Sequence, residues 1–187
     1  MLKILTLFYF CVQLNQVNST DIHLAIARAA GDQVGVTIKY VSKYERLSYP
    51  NGDVPKEQGV CSDVIIRAFR KVAVDLQKEV HEDMVNHFSA YPNYWMLKVP
   101  DHNIDHRRVP NLMTYFKRKG KSVGFDSSYK AGDVVAWKLS YGFYHIGIVS
   151  EEVVPDAERN FMIHNIGSGA KKEDVLLQYE IIGHYRW

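Results

Sequence analysis

The sequence has few cysteines, almost no net charge and no long apolar run beyond its N-terminus. It contains no internal repeat and no low-complexity tract, which argues against a solenoid or a fibre. Lys and Arg number 23 against 21 Asp and Glu, a balance that disfavours nucleic acid as the main partner. No later segment approaches roughly 18 consecutive apolar residues, so stable membrane insertion is not expected. The 187 residues suit one domain that buries a sizeable core.

The beginning of the chain differs from the rest. Lys3 precedes an apolar run at residues 4–12 that is too short to span a bilayer, and Val17-Asn18-Ser19 resembles a loose cleavage site. This pattern predicts a signal peptide over residues 1–19 and a single domain over residues 20–187. The protein is therefore expected to be exported, into a periplasm or out of the cell. A buried N-terminal strand is the alternative interpretation.

The two cysteines are Cys11 and Cys61, and removal of a signal peptide would leave Cys61 alone. A lone thiol in an oxidising compartment indicates a reactive residue, although free cysteine is often a small buried hydrophobe. Cys61 starts an amphipathic pattern over residues 61–76, so its thiol is expected at a helix N-terminus. There the helix dipole would lower the thiol pKa, and the Cys61 N–H would stabilise an oxyanion.

Helical patterns come first in the chain and strand patterns later. Further helices are predicted at residues 21–30, 80–88 and 111–118, and strands at residues 34–40, 133–139, 145–150, 161–166 and 176–182. Helices followed by a run of antiparallel strands predict an α+β fold.

Two histidines occupy neighbouring predicted strands. A hairpin centred near Pro155 places His145 directly opposite His164, on one face of the sheet. One imidazole can then act as a base while the other orients it. A one-residue slip in register would exchange His164 for Asn165, so Asn165 is the alternative orienting residue. Structural roles for both histidines, and a core role for Cys61, are the competing interpretation.

Three motifs resemble those of the NlpC-type papain-like cysteine peptidases, which cleave bacterial peptidoglycan. The motifs are Gly59-Val60-Cys61-Ser62, Ala131-Gly132-Asp133-Val134-Val135-Ala136-Trp137 and His145-Ile146-Gly147-Ile148-Val149. Segments at residues 103–112, 164–167 and 183–186 are similar to a bacterial branch of that superfamily, domain-of-unknown-function family 1287.

The resemblance implies a papain-like domain in which Cys61 is the nucleophile, His145 the general base and His164 the third polar residue. Tyr49 is similar to the pocket tyrosine of such enzymes, and Gln58 to the oxyanion glutamine of papain. The sequence departs from the family pattern in having Val60 before the cysteine and Asp63 where the family has glycine. Asp63 is expected to project to another side of the helix, where it need not repel a thiolate.

A polar segment at residues 101–108 is dense in His, Asp and Arg. It is interpreted either as a substrate loop, in which Arg107 or Arg108 grips a carboxylate, or as a hydrogen-bonded network in which Asp105 pairs with an arginine. The secondary candidates for substrate binding or the oxyanion are Tyr49, Gln58, Asp63, Asp105, His106, Arg107 and Asn165. No cofactor or bound metal is expected, but a minority interpretation builds a metal site from His81, Asp83, His102, Asp105 and His106.

The expected function is hydrolysis of an amide bond in peptidoglycan stem peptides or cross-links by a Cys61–His145–His164 triad. Peptidoglycan or its peptide fragments would then be the partner, with an immunity or inhibitor protein added if the protein is a toxin. Three alternatives remain: an acyltransferase or amidase of the same fold acting on a lipid or small amide, a metal-dependent hydrolase, and a catalytically inactive envelope-binding module.

Overall fold

The computed structural model describes residues 19–187, so the predicted signal peptide lies outside the described residues except for its last position. The helices are α1 (Ser19–Gly31), α2 (Cys61–Arg70), α3 (Leu76–His87) and α4 (Val109–Arg118). The strands are β1 (Lys39–Tyr40), β2 (Gln58–Gly59), β3 (Val134–Lys138), β4 (Tyr144–Val153), β5 (Asn160–Asn165), β6 (Ala170–Glu173) and β7 (Glu180–Tyr185). Within residues 19–187, no helix has the length and apolar character needed to cross a membrane.

Five strands form one antiparallel sheet in the order β6-β5-β4-β3-β7. The strands β1 and β2 form a separate two-stranded parallel pair. Helices in the first two thirds of the chain followed by an antiparallel sheet confirm the α+β prediction. The sequence did not predict strand β6 (Ala170–Glu173), because the strand is short and three of its four residues are charged, which leaves no alternation of apolar and polar residues.

The sheet has two apolar faces, and strand alternation divides its side chains between them. One face packs against the helices, with strand residues Val134, Ala136, Ile146, Ile148 and Ile163 and helix residues Val64, Ile65, Ala68 and Phe69 in the same cluster. The other face carries a smaller cluster that consists of Val135, Trp137, Val149, Met162, Val175 and Leu176. The position of a side chain along β4 or β5 therefore decides whether it faces α2 or the opposite side.

Two predicted elements are shorter than expected. Helix α2 ends at Arg70 rather than near residue 76, because Ala73 adopts a left-handed conformation with φ of 61° and Asp75 caps the next helix. The Asp75 side chain accepts a hydrogen bond from the Gln77 N–H, so it satisfies one of the first free amides of α3. The strand expected at residues 34–40 is reduced to Lys39–Tyr40, since the preceding residues form turns.

Candidate active site

Helix α2 begins at Cys61, and Asp63 fixes this first turn. The Asp63 carboxylate accepts a hydrogen bond from the Val60 N–H at 2.7 Å and forms two contacts of 2.9 Å with the guanidinium of Arg107. Both side chains of this ion pair are almost fully buried, at 4% and 2% exposure. Asp63 therefore stabilises the first turn of α2 and is itself paired with Arg107. This arrangement contradicts the interpretation of Asp63 as a substrate-binding group.

The thiol of Cys61 is buried, with 5% of the residue exposed. Backbone N–H groups of Ile146, Ser62 and Cys61 lie close to its sulfur and favour the thiolate. Burial outweighs them, and with the negative charge of Asp63 it raises the pKa of Cys61 to about 12. The pKa of Cys61 is therefore raised, where its position at a helix N-terminus predicted a lowered value, and the expectation that Asp63 need not repel the thiolate is wrong.

The imidazoles of His145 and His164 are joined by a hydrogen bond of 2.8 Å between Nε2 of His145 and Nδ1 of His164. Strand β5 pairs with β4 so that Gly147, not His145, lies opposite His164. The predicted register was therefore wrong by two residues. Because a shift of two keeps every side chain on its face, the two histidines still meet, diagonally rather than directly across.

Trp137 covers the histidine pair. Its ring stacks on that of His145 with centroids 5.6 Å apart, and its indole N–H donates to the Leu176 carbonyl at 3.0 Å. Gly147 leaves room for this packing, since a Cβ there would approach His164 Cβ and the Trp137 ring to 3.1 Å each. Burial, with a smaller contribution from His164, lowers the pKa of His145 to about 3. The resting imidazole is thus neutral at physiological pH.

Glu173 lies beyond His164, at the edge of the sheet. Its Oε2 is 3.0 Å from His164 Nε2, in an orientation that does not meet hydrogen-bond geometry. Burial lowers the pKa of His164, and the Glu173 carboxylate acts in the opposite direction by favouring the imidazolium. Glu173 was missed in the sequence because it belongs to β6, the strand that the residue pattern did not predict.

Thiol and imidazoles approach the same end of β4 from different faces of the sheet. Ile146, whose N–H contacts the thiol, packs on the face of α2, whereas His145 stacks with Trp137 on the other face. Among residues 19–187, no hydrogen bond joins Cys61 Sγ to an imidazole. The pairing between β4 and β5 begins at Gly147, so His145 and Ile146 have no partner residue in β5.

Asn165 connects the sheet to the start of α2. It faces the helix side, its Nδ2 donates to the Gly59 carbonyl at 3.1 Å, and its Oδ1 accepts from the N–H groups of Gly167 and Gly169. The partner of the His145 ring is thus His164, and Asn165 instead holds the backbone that leads into Cys61.

Two adjoining cavities open on the two sides of this strand end. One, of about 450 Å³, is lined by Cys61, and the other, of about 420 Å³, by His145. Tyr40, Phe143 and Tyr144 line both. Burial, the largest cause, and the negative charge of Asp63 raise the pKa of Tyr40 to about 12. The tyrosines that line both cavities are therefore Tyr40 and Tyr144, neither of which the sequence singled out.

Two other residues expected at the site lie elsewhere. Tyr49 contacts the rings of His81 and His102, at 5.3 and 5.2 Å between centroids, and does not line either cavity. Gln58 pairs with Lys39 in the small parallel sheet and does not line them either. Both candidate roles are therefore corrected.

The polar segment at residues 101–108 forms a hydrogen-bonded network. Asp105 is fully buried and accepts hydrogen bonds from the Asp101 N–H at 2.5 Å and from Arg108 at 3.3 Å. Burial raises the pKa of Asp105 to about 6 and lowers that of His106 to about 3. Neither residue lines the two cavities, so the network interpretation describes them correctly. Arg107 and Arg108 do line the cavity of Cys61.

The residues of the minority metal interpretation are dispersed. Asp83 pairs with Arg118, Asp105 pairs with Arg108, and the rings of His81 and His102 pack against each other and against Tyr49. Within residues 19–187, no group of three or more His, Cys, Asp or Glu side chains is placed to hold a metal ion.

Comparison with known proteins gives one family and two individual matches. The family model "Domain of unknown function (DUF1287)" matches residues 27–187. "Uncharacterized protein YijF" of Escherichia coli (strain K12) is 54% identical over 168 residues, which cover 88% of this chain and 82% of that protein. The structure of NlpC1 from Trichomonas vaginalis has a TM-score of 0.49 and 12% identity over 92% of this chain. The aligned region is 46% of the NlpC1 chain, so this chain spans less than half of its length.

Proposed function

This chain belongs to the DUF1287 family, as its sequence motifs predicted, and we propose that it is a cysteine hydrolase that cleaves an amide bond. One observation carries the proposal. The thiol of Cys61 lies at the N-terminus of a helix, in the wall of a cavity, and touches the backbone next to His145, whose ring is hydrogen-bonded to His164. The side chains proposed as nucleophile, base and orienting group therefore all lie at one end of strand β4, which supports the proposal.

The proposed reaction uses only groups of this chain and water. Cys61 Sγ attacks the substrate carbonyl carbon while the thiol proton passes to His145, and the Cys61 N–H stabilises the oxyanion. The imidazolium of His145 then gives its proton to the leaving amine, which produces a thioester on Cys61. His145 next takes a proton from water, the hydroxide attacks the thioester, and the proton returns to the thiolate. His164 keeps the ring of His145 in position throughout.

The pKa values of Cys61 and His145 determine at which step the thiol proton moves to the imidazole. Burial disfavours the thiolate of Cys61 and the imidazolium of His145, so the resting pair is neutral. Proton transfer therefore accompanies attack on the bound substrate instead of preceding it. A substrate in the cavity of Cys61 would also exclude water, which strengthens the interaction between the oxyanion and the backbone N–H groups.

We propose peptidoglycan stem peptides or cross-links as the substrate, reached after export of the protein. Two sequence features support this part of the proposal: the motifs shared with NlpC-type peptidases and the signal-peptide pattern of residues 1–19. Both point to the compartment that holds peptidoglycan.

The experiment is digestion of purified peptidoglycan by the purified protein, with Cys61→Ala and His145→Asn beside the wild type and products identified by mass spectrometry. New muropeptides are expected from the wild type alone, and their masses identify the cleaved bond. His87→Ala is the matched control, because His87 is an exposed histidine on α3. Equal products from Cys61→Ala contradict the nucleophile, and no products from any form contradict peptidoglycan as substrate.

A further inference from the structure

The wall of the cavity beside Cys61 carries charge of one sign. Among the described residues that line it, two are arginines, Arg107 and Arg108, and none is Asp or Glu. The charge of Arg107 is compensated, because its Nε and Nη2 each meet the carboxylate of Asp63 at 2.9 Å in a buried pair, while Nη1 donates to the Lys43 carbonyl. Any uncompensated positive charge in this wall therefore belongs to Arg108.

Arg108 is held loosely by its own carboxylate. One nitrogen, Nη1, lies 3.3 Å from Asp105 Oδ1, and this is the one hydrogen bond from its guanidinium to the described residues. Asp105 Oδ2 is already occupied by the Asp101 N–H. A guanidinium has five N–H donors in a planar fork, so most of those of Arg108 are free for a ligand.

An aromatic surface fixes the plane of this guanidinium. Its central carbon lies 4.0 Å from the centre of the Trp95 ring, which is stacking distance. Tyr94 and Tyr144 extend the same wall with rings nearly parallel, 6.2 Å apart. A ligand entering the cavity thus meets a flat cationic group beside aromatic faces, the arrangement that recognises a planar anion with apolar surface next to it.

We propose that Arg108, positioned by Trp95, binds a carboxylate of the molecule that reaches Cys61, so that the site selects acyl groups with a free carboxylate over their neutral analogues. The inference deepens the proposed function, because it names the substrate class of the same cavity. Peptide units with a free carboxylate beside the scissile amide belong to this class.

The test uses two thiol reagents that differ mainly in one carboxylate, iodoacetate and iodoacetamide. The alkylation rate of Cys61 by each is measured at pH 8.5 by mass spectrometry of its peptide, and the ratio of the two rates is divided by the ratio for glutathione. We expect this normalised preference for iodoacetate to be roughly five- to tenfold in the wild type, from one nearby unscreened charge. It should fall towards one in Arg108→Gln and be largely kept in Arg108→Lys.

Arg159→Gln is the matched control, because Arg159 is an exposed arginine that pairs with Asp174 and does not line the cavity. A wild-type preference equal to that of glutathione overturns the proposal, even if Arg108→Gln fails to fold. A preference that Arg108→Gln leaves unchanged also overturns it. Because alkylation needs no hydrolysis, iodoacetate preference without peptidoglycan products would contradict peptidoglycan as substrate and keep the carboxylate site. Peptidoglycan products without a preference for iodoacetate would support the hydrolase and refute the carboxylate site at Arg108.

Discussion

Replacement of Asp63 by asparagine should make the protein less stable and its thiol more acidic. Asparagine keeps an oxygen that can accept the Val60 N–H, so the first turn of α2 retains its hydrogen bond. It removes the charge that compensates Arg107, whose side chain is 2% exposed. Breaking one side of a buried ion pair costs about 3–5 kcal/mol. This is a large share of the roughly 5–15 kcal/mol that stabilises a folded domain.

The same substitution should lower the pKa of the Cys61 thiol. The Asp63 charge is the second cause, after burial, of the raised pKa of Cys61. Without it, and with the Arg107 cation unpaired nearby, the pKa of Cys61 should fall by roughly one to three units. The midpoint of the pH profile for alkylation of Cys61 by iodoacetamide would then move to lower pH, while urea unfolding reports the loss of stability.

An exposed ion pair provides the control for this experiment. Asp174 contacts Arg159 with side chains that are 31% and 37% exposed, so Asp174→Asn should cost less than about 1 kcal/mol and leave the thiol profile unchanged. The reasoning is refuted if Asp63→Asn destabilises no more than this control. It is also refuted if the alkylation midpoint of Asp63→Asn moves to higher pH.

Three further predictions concern the sheet and the buried polar segment. Because Glu173 favours the imidazolium of His164, Glu173→Gln should move the acidic limb of the pH–rate profile for hydrolysis to lower pH, and an unmoved limb would exclude this role. Asn165→Ala removes the oxygen that accepts from the N–H groups of Gly167 and Gly169, and should lower the unfolding free energy by about 1–3 kcal/mol in urea titrations. Burial lowers the pKa of His106 to about 3, whereas an unfolded histidine titrates near 6.5, so the protein should lose stability as pH falls between these values. His106→Gln should flatten that decline by roughly 1 kcal/mol per pH unit in unfolding titrations over this range, and an unchanged slope would show that another group causes it.

Alternation along a strand was the strongest information in the sequence. The period of two assigned His145 and His164 to one face, and this assignment survived an error of two residues in the register. The exact register depends on where the hairpin turns, and residues 154–159 contain several positions where a turn can form. The pattern therefore predicted which rings meet but not which residues pair.

Contacts between distant segments were not predictable in the same way. Tyr40 reaches the cavity because β1 pairs with β2, the two residues that precede Val60 and Cys61. That pairing involves only two residues in each strand, too few to leave a periodic pattern. The sequence therefore favoured Tyr49, in a turn cluster, as the pocket tyrosine. In the structure Tyr49 packs against two histidines instead.

The pKa of Cys61 shows why local sequence context does not settle reactivity. The helix N-terminus and three N–H donors all favour the thiolate, yet removal of the sulfur from water and the buried Asp63 charge outweigh them. The same burial keeps the ring of His145 neutral. In the proposed mechanism, a site of this kind holds its nucleophile as an unreactive thiol until a substrate fills the cavity. A carboxylate bound at Arg108 would place the scissile carbonyl near the sulfur before any proton moves. Selection of the substrate and activation of the thiol then become parts of one binding event.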